Sequence, residues 1–270
     1  MDRYVFAAVS YANAAPLAHF LPRVRPAVGV TYGRPVELAE ALLSGRADVA
    51  LVPVADYFAI PGLQVIDGLG ICADGDVWSV LLKCRRPLEE ARVVALDPAS
   101  RTSNALARII LKDHFHLSVE TKHCRPDEPA DAAVVIGDRA LCDPPAESGD
   151  YDLAGLWKTM TGLPFVFAVW AYREDHHDPE ALSRIAHAAR DAGLRAIGAL
   201  ATIHAARLDL PVARCREYLT SVVRYDLGPR EAGAMRLFKE MLDTHGWGLP
   251  PARSSLPPDK GRGDTAGWDA

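Results

Sequence analysis

The sequence predicts an α/β protein of two lobes with mainly parallel sheets. Three observations predict it. Short apolar runs alternate with amphipathic stretches, the pattern of strand–helix units. The alternation restarts near Ala91 and returns near Trp170, which reads as a second lobe inserted into the first. Polar residues gather at the ends of the apolar runs, where open α/β sheets bind ligands. The first lobe is expected at residues 1–90 and 171–248, the second at 91–170, and a C-terminal tail at 249–270. Two extended crossings, near 86–92 and 169–173, are the expected hinges.

Each element has its own reason. "RYVFAAVSY" is a buried strand ending at Ser10-Tyr11, and "NAAPLAHFL" opens a helix. In "RPVELAEALLSG" Pro35 suits a first helical turn, Leu38, Ala41 and Leu42 form a stripe, and Gly45 suits a stop. "DVALVP" is the next buried strand. "VWSVLLKC" is another, with Ser79 in its midst; alternation turns Ser79 away from Trp78 and Val80, toward the cleft or into an ordinary strand position. "ARVVALDP" is a strand that feeds the helix "SNALARIILKDHF". "LSVETKHC" is a strand, and "ADAAVVIGDRAL" a strand running into a turn. "LPFVFAVWAYRE" is a long apolar strand. Asp178-Pro179-Glu180 then opens a helix to about Leu200, with cap, proline and acid in order. Helical patterns near 211–223 and 229–244 follow. The tail is rich in Pro, Gly and charge without an apolar period, and reads as poorly ordered or surface-wrapping.

Composition narrows the function. The chain has 270 residues, 49% of them hydrophobic, which is ample for one large core or two ordinary ones. A net charge of −5 argues against a nucleic-acid or anionic-membrane surface. The N-terminal segment lacks the pattern of a secretory leader and no apolar run has the length of a membrane span, so a cytoplasmic location is expected. The five cysteines are odd in number and form no C-x-x-C, which fits free thiols in a reducing compartment. His114 and His116 suit a helix end and the turn after it, and no familiar ligand spacing points to a metal. There is no nucleotide-binding glycine fingerprint.

The stretch "LDPASRTSNALARIIL" carries the most chemistry. A strand ends at Asp97-Pro98, and Ser100, Arg101, Thr102 and Ser103 stand where a helix begins. A hydroxyl there caps the helix. Capping leaves Arg101 without a role, and a cation is mildly unfavourable at the positive end of the helix dipole. Free N–H groups, hydroxyls and a guanidinium together suit a carboxylate or phosphate. Tyr11, Asn13, Asp138 and Arg139 stand at the other strand ends.

"SYANAAPL", "ADVALVPVADYF", "LDPASRTSNALARIIL", "VVIGDRAL" and "TGLPFVFAVWA" together resemble the chorismate dehydratases of the futalosine route to menaquinone. The resemblance spans most of residues 4–172, in the family's order; "SRTS" with "GDRAL" and "GLPFVFAVWA" is its specific part. It implies a two-lobed fold like type II periplasmic binding proteins, with a ligand cleft between the lobes. It also implies loss of water from chorismate to give 3-[(1-carboxyvinyl)oxy]benzoate, with no redox cofactor and no metal. Asn13 and Ser79 become the expected catalytic residues. Tyr11, Ser100, Arg101, Thr102, Ser103, Asp138 and Arg139 become expected substrate contacts. Arg101 has a second reading as a brace between lobes, paired with Asp138 or another acid. Arg139 is favoured in such a structural role, with Asp138 holding it. Two other functions stay open: a non-catalytic carboxylate-binding protein, and the dihydroxynaphthoate synthase of the same route. The sequence leaves the oligomeric state and the general base open.

Overall fold

The structure, a computed structural model, describes residues 4–25 and 27–248. The reading of 249–270 as a loose tail lies outside these residues. The strands are β1 Tyr4–Ala8, β2 Val28–Tyr32, β3 Val49–Pro53, β4 Leu63–Ala73, β5 Val80–Cys84, β6 Val93–Leu96, β7 Glu120–His123, β8 Ala132–Ile136, β9 Asp150–Asp152, β10 Phe165–Arg173 and β11 Arg224–Asp226. The helices are α1 Ala15–Ala18, α2 Leu21–Val24, α3 Pro35–Leu43, α4 Val54–Ala59, α5 Arg101–Ile109, α6 Gly137–Cys142, α7 Leu153–Thr161, α8 Pro179–Arg195, α9 Ile197–Leu208, α10 Val212–Glu217 and α11 Pro229–His245.

Two sheets form, in the orders β11-β4-β10-β3-β1-β2 and β7-β6-β8-β5-β9. They are mixed, which corrects the expectation of mainly parallel sheets. β1 pairs β2 and β3 in parallel, and β6 pairs β7 and β8 in parallel. The pairings of β10 with β3 and β4, of β11 with β4, and of β5 with β8 and β9 are antiparallel. The reason is the chain's route. β4 leads out of the first sheet and β10 leads back in, so the two lie side by side in opposite directions.

The sheets also divide the chain differently from the expected lobe boundaries. β5 pairs with β8 in the second sheet, and all of β10 belongs to the first. The connections between sheets are therefore residues 74–79 and 162–164, not 86–92 and 169–173. An aromatic cluster packs at the second of them. Trp157 of α7 meets Phe165 edge-on at 5.3 Å, and both meet Phe238 of α11 edge-on, at 6.0 and 5.0 Å. Such pairs are worth about 0.5–1.5 kcal/mol each beyond their area.

The expected helix from Asp178 to about Leu200 is two helices, broken at Ala196, so α9 turns away to pack on α10. "GDRAL" is helix α6 rather than a turn, and Ser79 lies just before β5 rather than within a strand.

Candidate active site

A pocket lies between the two sheets, lined by residues of both. Its apolar wall comes from Leu51, Ile71, Val80, Ile136 and Phe167. Its polar groups are Tyr11, Asn13, Ser79, Ser100, Thr102 and Ser103. The structure thus brings together six of the nine residues singled out in the sequence. No lysine or arginine stands among the lining residues.

The first turn of α5 supplies one polar end. Ser100 is its N-cap: its hydroxyl accepts from the Ser103 N–H at 3.2 Å and donates to the Ser103 hydroxyl at 2.9 Å. The capping reading is therefore correct, and it is compatible with an anion site. The N–H groups of Arg101 and Thr102 have no intrahelical acceptor and share the positive end of the helix dipole. Thr102 Oγ1 accepts from the Ala55 N–H at 3.0 Å, across from the first sheet, which leaves its own proton to donate.

The turn before β5 supplies the other end. Trp78 takes φ 64°, a region that a bulky side chain enters only under constraint. The constraint is Asp152. Its Oδ2 accepts from the Val77 and Trp78 N–H groups at 2.9 and 2.7 Å, and its Oδ1 caps α7 through Ala154 and Gly155. Burial pushes the Asp152 carboxyl up to about 6, against the pull of these N–H donors. Ser79 follows, wholly buried, with its carbonyl accepting from the Gly137 N–H at 2.7 Å. Its hydroxyl accepts from the phenol of Tyr218 at 2.8 Å.

Asn13 sits in the 3₁₀ turn Ala12–Ala14 after β1, and its Oδ1 is buried without a hydrogen-bond partner. Tyr11 precedes it, half-buried, with its phenol pushed up by burial and then by Asp97 and Asp138. Its ring lies against Gly137, where a Cβ would come within 3.0 Å; Gly137 also has φ 63°.

Three expected contacts stand outside the lining. Arg101 Nε meets Asp56 Oδ1 at 2.9 Å, so it takes the bracing role, with Asp56 of α4 as the acid rather than Asp138. Asp56 is 1% exposed; such a carboxylate needs a cation, and burial still pushes it up to about 6 despite Arg101. Asp138 also joins the sheets: it accepts from the Ala12 N–H at 2.9 Å and from Arg207 at 2.5 Å. Arg139 is turned to the surface and pairs with Asp143 and Asp127, not with Asp138. Sequence reading missed Tyr218, Asp152 and Asp56. All three act through partners 45 to 139 positions away, a separation no local motif records. Among the described residues no three His, Cys, Asp or Glu side chains gather as a metal site.

Residues 4–244 match the family model described as menaquinone biosynthesis. The chain belongs to this family. It is 34% identical over 286 residues to a chorismate dehydratase of Thermus thermophilus, covering 95% of this chain and 100% of the relative. It is 32% identical over 171 residues to a chorismate dehydratase of Campylobacter jejuni, covering 61% of this chain and 65% of the relative. These relatives are enzymes. In fold the chain is similar to a protein of Archaeoglobus fulgidus, with TM-score 0.68, 15% identity and 91% and 98% of the two chains covered. It is also similar to the alkanesulfonate-binding protein SsuA of Xanthomonas axonopodis pv. citri, with TM-score 0.61, 13% identity and coverage of 93% and 95%. A Candida albicans protein with the generic periplasmic binding protein fold matches at TM-score 0.56 and 10% identity, over 96% of this chain and 99% of that one. The family member described here therefore has the two-lobed periplasmic-binding-protein-like fold that the sequence predicts.

Proposed function

We propose that this protein is a chorismate dehydratase, a hydro-lyase that converts chorismate to 3-[(1-carboxyvinyl)oxy]benzoate and water. The observation that carries the reading is the pocket itself. A buried, unpartnered Asn13 carbonyl oxygen and the Ser79 hydroxyl stand in one cavity with the first turn of α5. One carboxylate of chorismate is assigned to that turn, held by the free N–H groups and by the hydroxyls of Thr102 and Ser103. With no arginine in the lining, neutral donors and the helix dipole carry the anion.

The C–H bond at the ring carbon bearing the enolpyruvyl ether breaks, and its electron pair spreads through the ring double bonds to the ring carboxylate. The neighbouring C–O bond then breaks and the ring becomes aromatic. The departing hydroxyl and the abstracted proton together make the water. No His or Glu lines the pocket; the substrate's own side-chain carboxylate is proposed as the base. The protein's part is to orient the substrate, exclude water and stabilise charge as it develops.

The test is incubation of the purified protein with chorismate, followed by mass spectrometry. A product lighter than chorismate by one water supports the reading. Bound but unchanged chorismate would sink it in favour of a binding protein. Full turnover of an analogue lacking the side-chain carboxylate would remove the proposed base.

A further inference from the structure

The hydrogen bonds around Ser79 have a direction. Tyr218 opens the π turn Tyr218–Val222 that follows α10, is 2% exposed, and belongs to a segment far from the expected motifs. Its phenol proton goes to Ser79 Oγ, at 2.8 Å. Asn13 lines the same pocket as Ser79, and its Oδ1 is buried without a hydrogen-bond partner. Ser79 Oγ has accepted from Tyr218, which leaves the serine proton for the pocket. The Tyr218 ring is fixed by Trp78, stacked on it with centroids 6.5 Å apart and planes 19° apart. Trp78 is in turn fixed by Asp152.

We propose that Tyr218 is a positioning residue whose phenol, by donating to Ser79, turns the serine proton into the pocket, so that Ser79 offers a donor beside the Asn13 acceptor to one substrate hydroxyl. Asn13 and Ser79 line the one pocket, with Asn13 Oδ1 buried and unpartnered and the Ser79 proton left free by the Tyr218 donor. A single hydroxyl can then donate to Asn13 Oδ1 and accept from Ser79. On the dehydratase reading above, on which this inference rests, that hydroxyl is the one that leaves, and the serine proton meets its growing negative charge. Without the phenol, Ser79 is free to rotate and the direction is lost. Burial pushes the Tyr218 phenol upward, so it keeps its proton at neutral pH. Tyr218 lies three residues after buried Cys215 of α10, so ordinary helical spacing puts it on the same inward face.

Tyr218→Phe deletes one oxygen and keeps the ring. It should lower kcat for chorismate about ten- to a hundredfold with little change in KM and in the melting temperature. Ser79→Ala should fall similarly, and Tyr218→Phe should add nothing in the Ser79→Ala background. An unchanged kcat in Tyr218→Phe, or the same fold-loss with and without Ser79, would overturn the proposal. The same cycle is run on affinity for a non-reacting chorismate analogue that retains the ring hydroxyl. If the wild type binds this analogue yet forms no product, the dehydratase reading fails, and non-additive affinities still support Tyr218 while additive ones refute it. Should Tyr218→Phe fold poorly, Ser79→Ala is compared on two analogues, with and without the hydroxyl. Weakening of the first by about tenfold with the second unchanged supports the donor role; equal binding of the first by wild type and variant overturns it.

Discussion

Gly137 makes a demand that a single methyl group would violate. It has φ 63°, and a Cβ there would press on the Tyr11 ring at 3.0 Å. Gly137→Ala is therefore expected to cost about 1–3 kcal/mol in stability from the backbone alone. It should also displace Tyr11 and raise KM for chorismate. A melting curve and a saturation curve check both; wild-type values in each would contradict the packing described. At this scale the sequence was informative where a residue's role is local. The hydroxyls after Asp97 and the amide after Tyr11 were legible because a strand end and a helix start leave orphan N–H groups at known places. Arg101, Asp138 and Arg139 stand outside the pocket lining, each paired with another charged side chain. A cation or acid at a strand end is equally suited to another charged side chain, and only the fold puts Asp56 or Arg207 in reach.

The elements that read well were those with one buried stripe or a full cap. α3 begins at Pro35 and ends before Gly45, and α8 has Asp178 as its cap, accepting from the Ala181 N–H. β4 went unread because its apolar run is broken by Asp67, Gly68 and Gly70. Gly70 is needed there: a Cβ would meet the Ala168 carbonyl of β10 at 2.5 Å. The turn before β5 escaped as well, because Trp78 looks like a strand residue and its φ is imposed from β9 by Asp152. Removing that constraint has a clear expectation. Asp152→Ala orphans the N–H groups of Val77, Trp78, Ala154 and Gly155, at about 1–3 kcal/mol for each that stays buried. A large drop in the denaturant midpoint should follow, with Asp152→Asn recovering part of it. A midpoint unchanged in Asp152→Ala would show that the turn holds itself.

For the molecule as a whole, α4 and α5 meet across the two sheets through Asp56 and Arg101, and this contact responds to pH. Unfolded, an aspartate gives up its proton near its ordinary value of 3.8; folded, Asp56 holds it up to about 6. Between those values the folded state binds more protons, so stability falls as pH rises through the window. The loss attributable to Asp56 is at most about 3 kcal/mol. In Asp56→Asn that slope should shrink, so the gap between variant and wild type changes between pH 4 and pH 7. Urea unfolding at both pH values measures it, and a gap independent of pH would refute the assignment. The two-lobed plan was legible from the restart of the strand–helix alternation. The crossing points were not, because apolar runs such as β5 and β10 do not reveal which sheet they join, and partner choice is a property of the assembled sheets.

That division of strands has a consequence for how the chain is made. The second sheet uses only β5 to β9, one continuous stretch from Val80 to Asp152. The first sheet pairs Cys72 of β4 with Arg224 of β11, and β3 with β10, across intervals that enclose the whole second sheet. A chain emerging from the ribosome can close the second sheet long before β10 and β11 exist, and contacts distant in sequence form slowly in any case. The inserted sheet is thus expected to assemble first and to act as the template against which the two separated parts of the outer lobe converge. Pulse-labelled hydrogen exchange during refolding should find amides of β5, β6 and β8 protected before those of β4 and β10. The reverse order would mean that the outer lobe gathers its distant strands unaided.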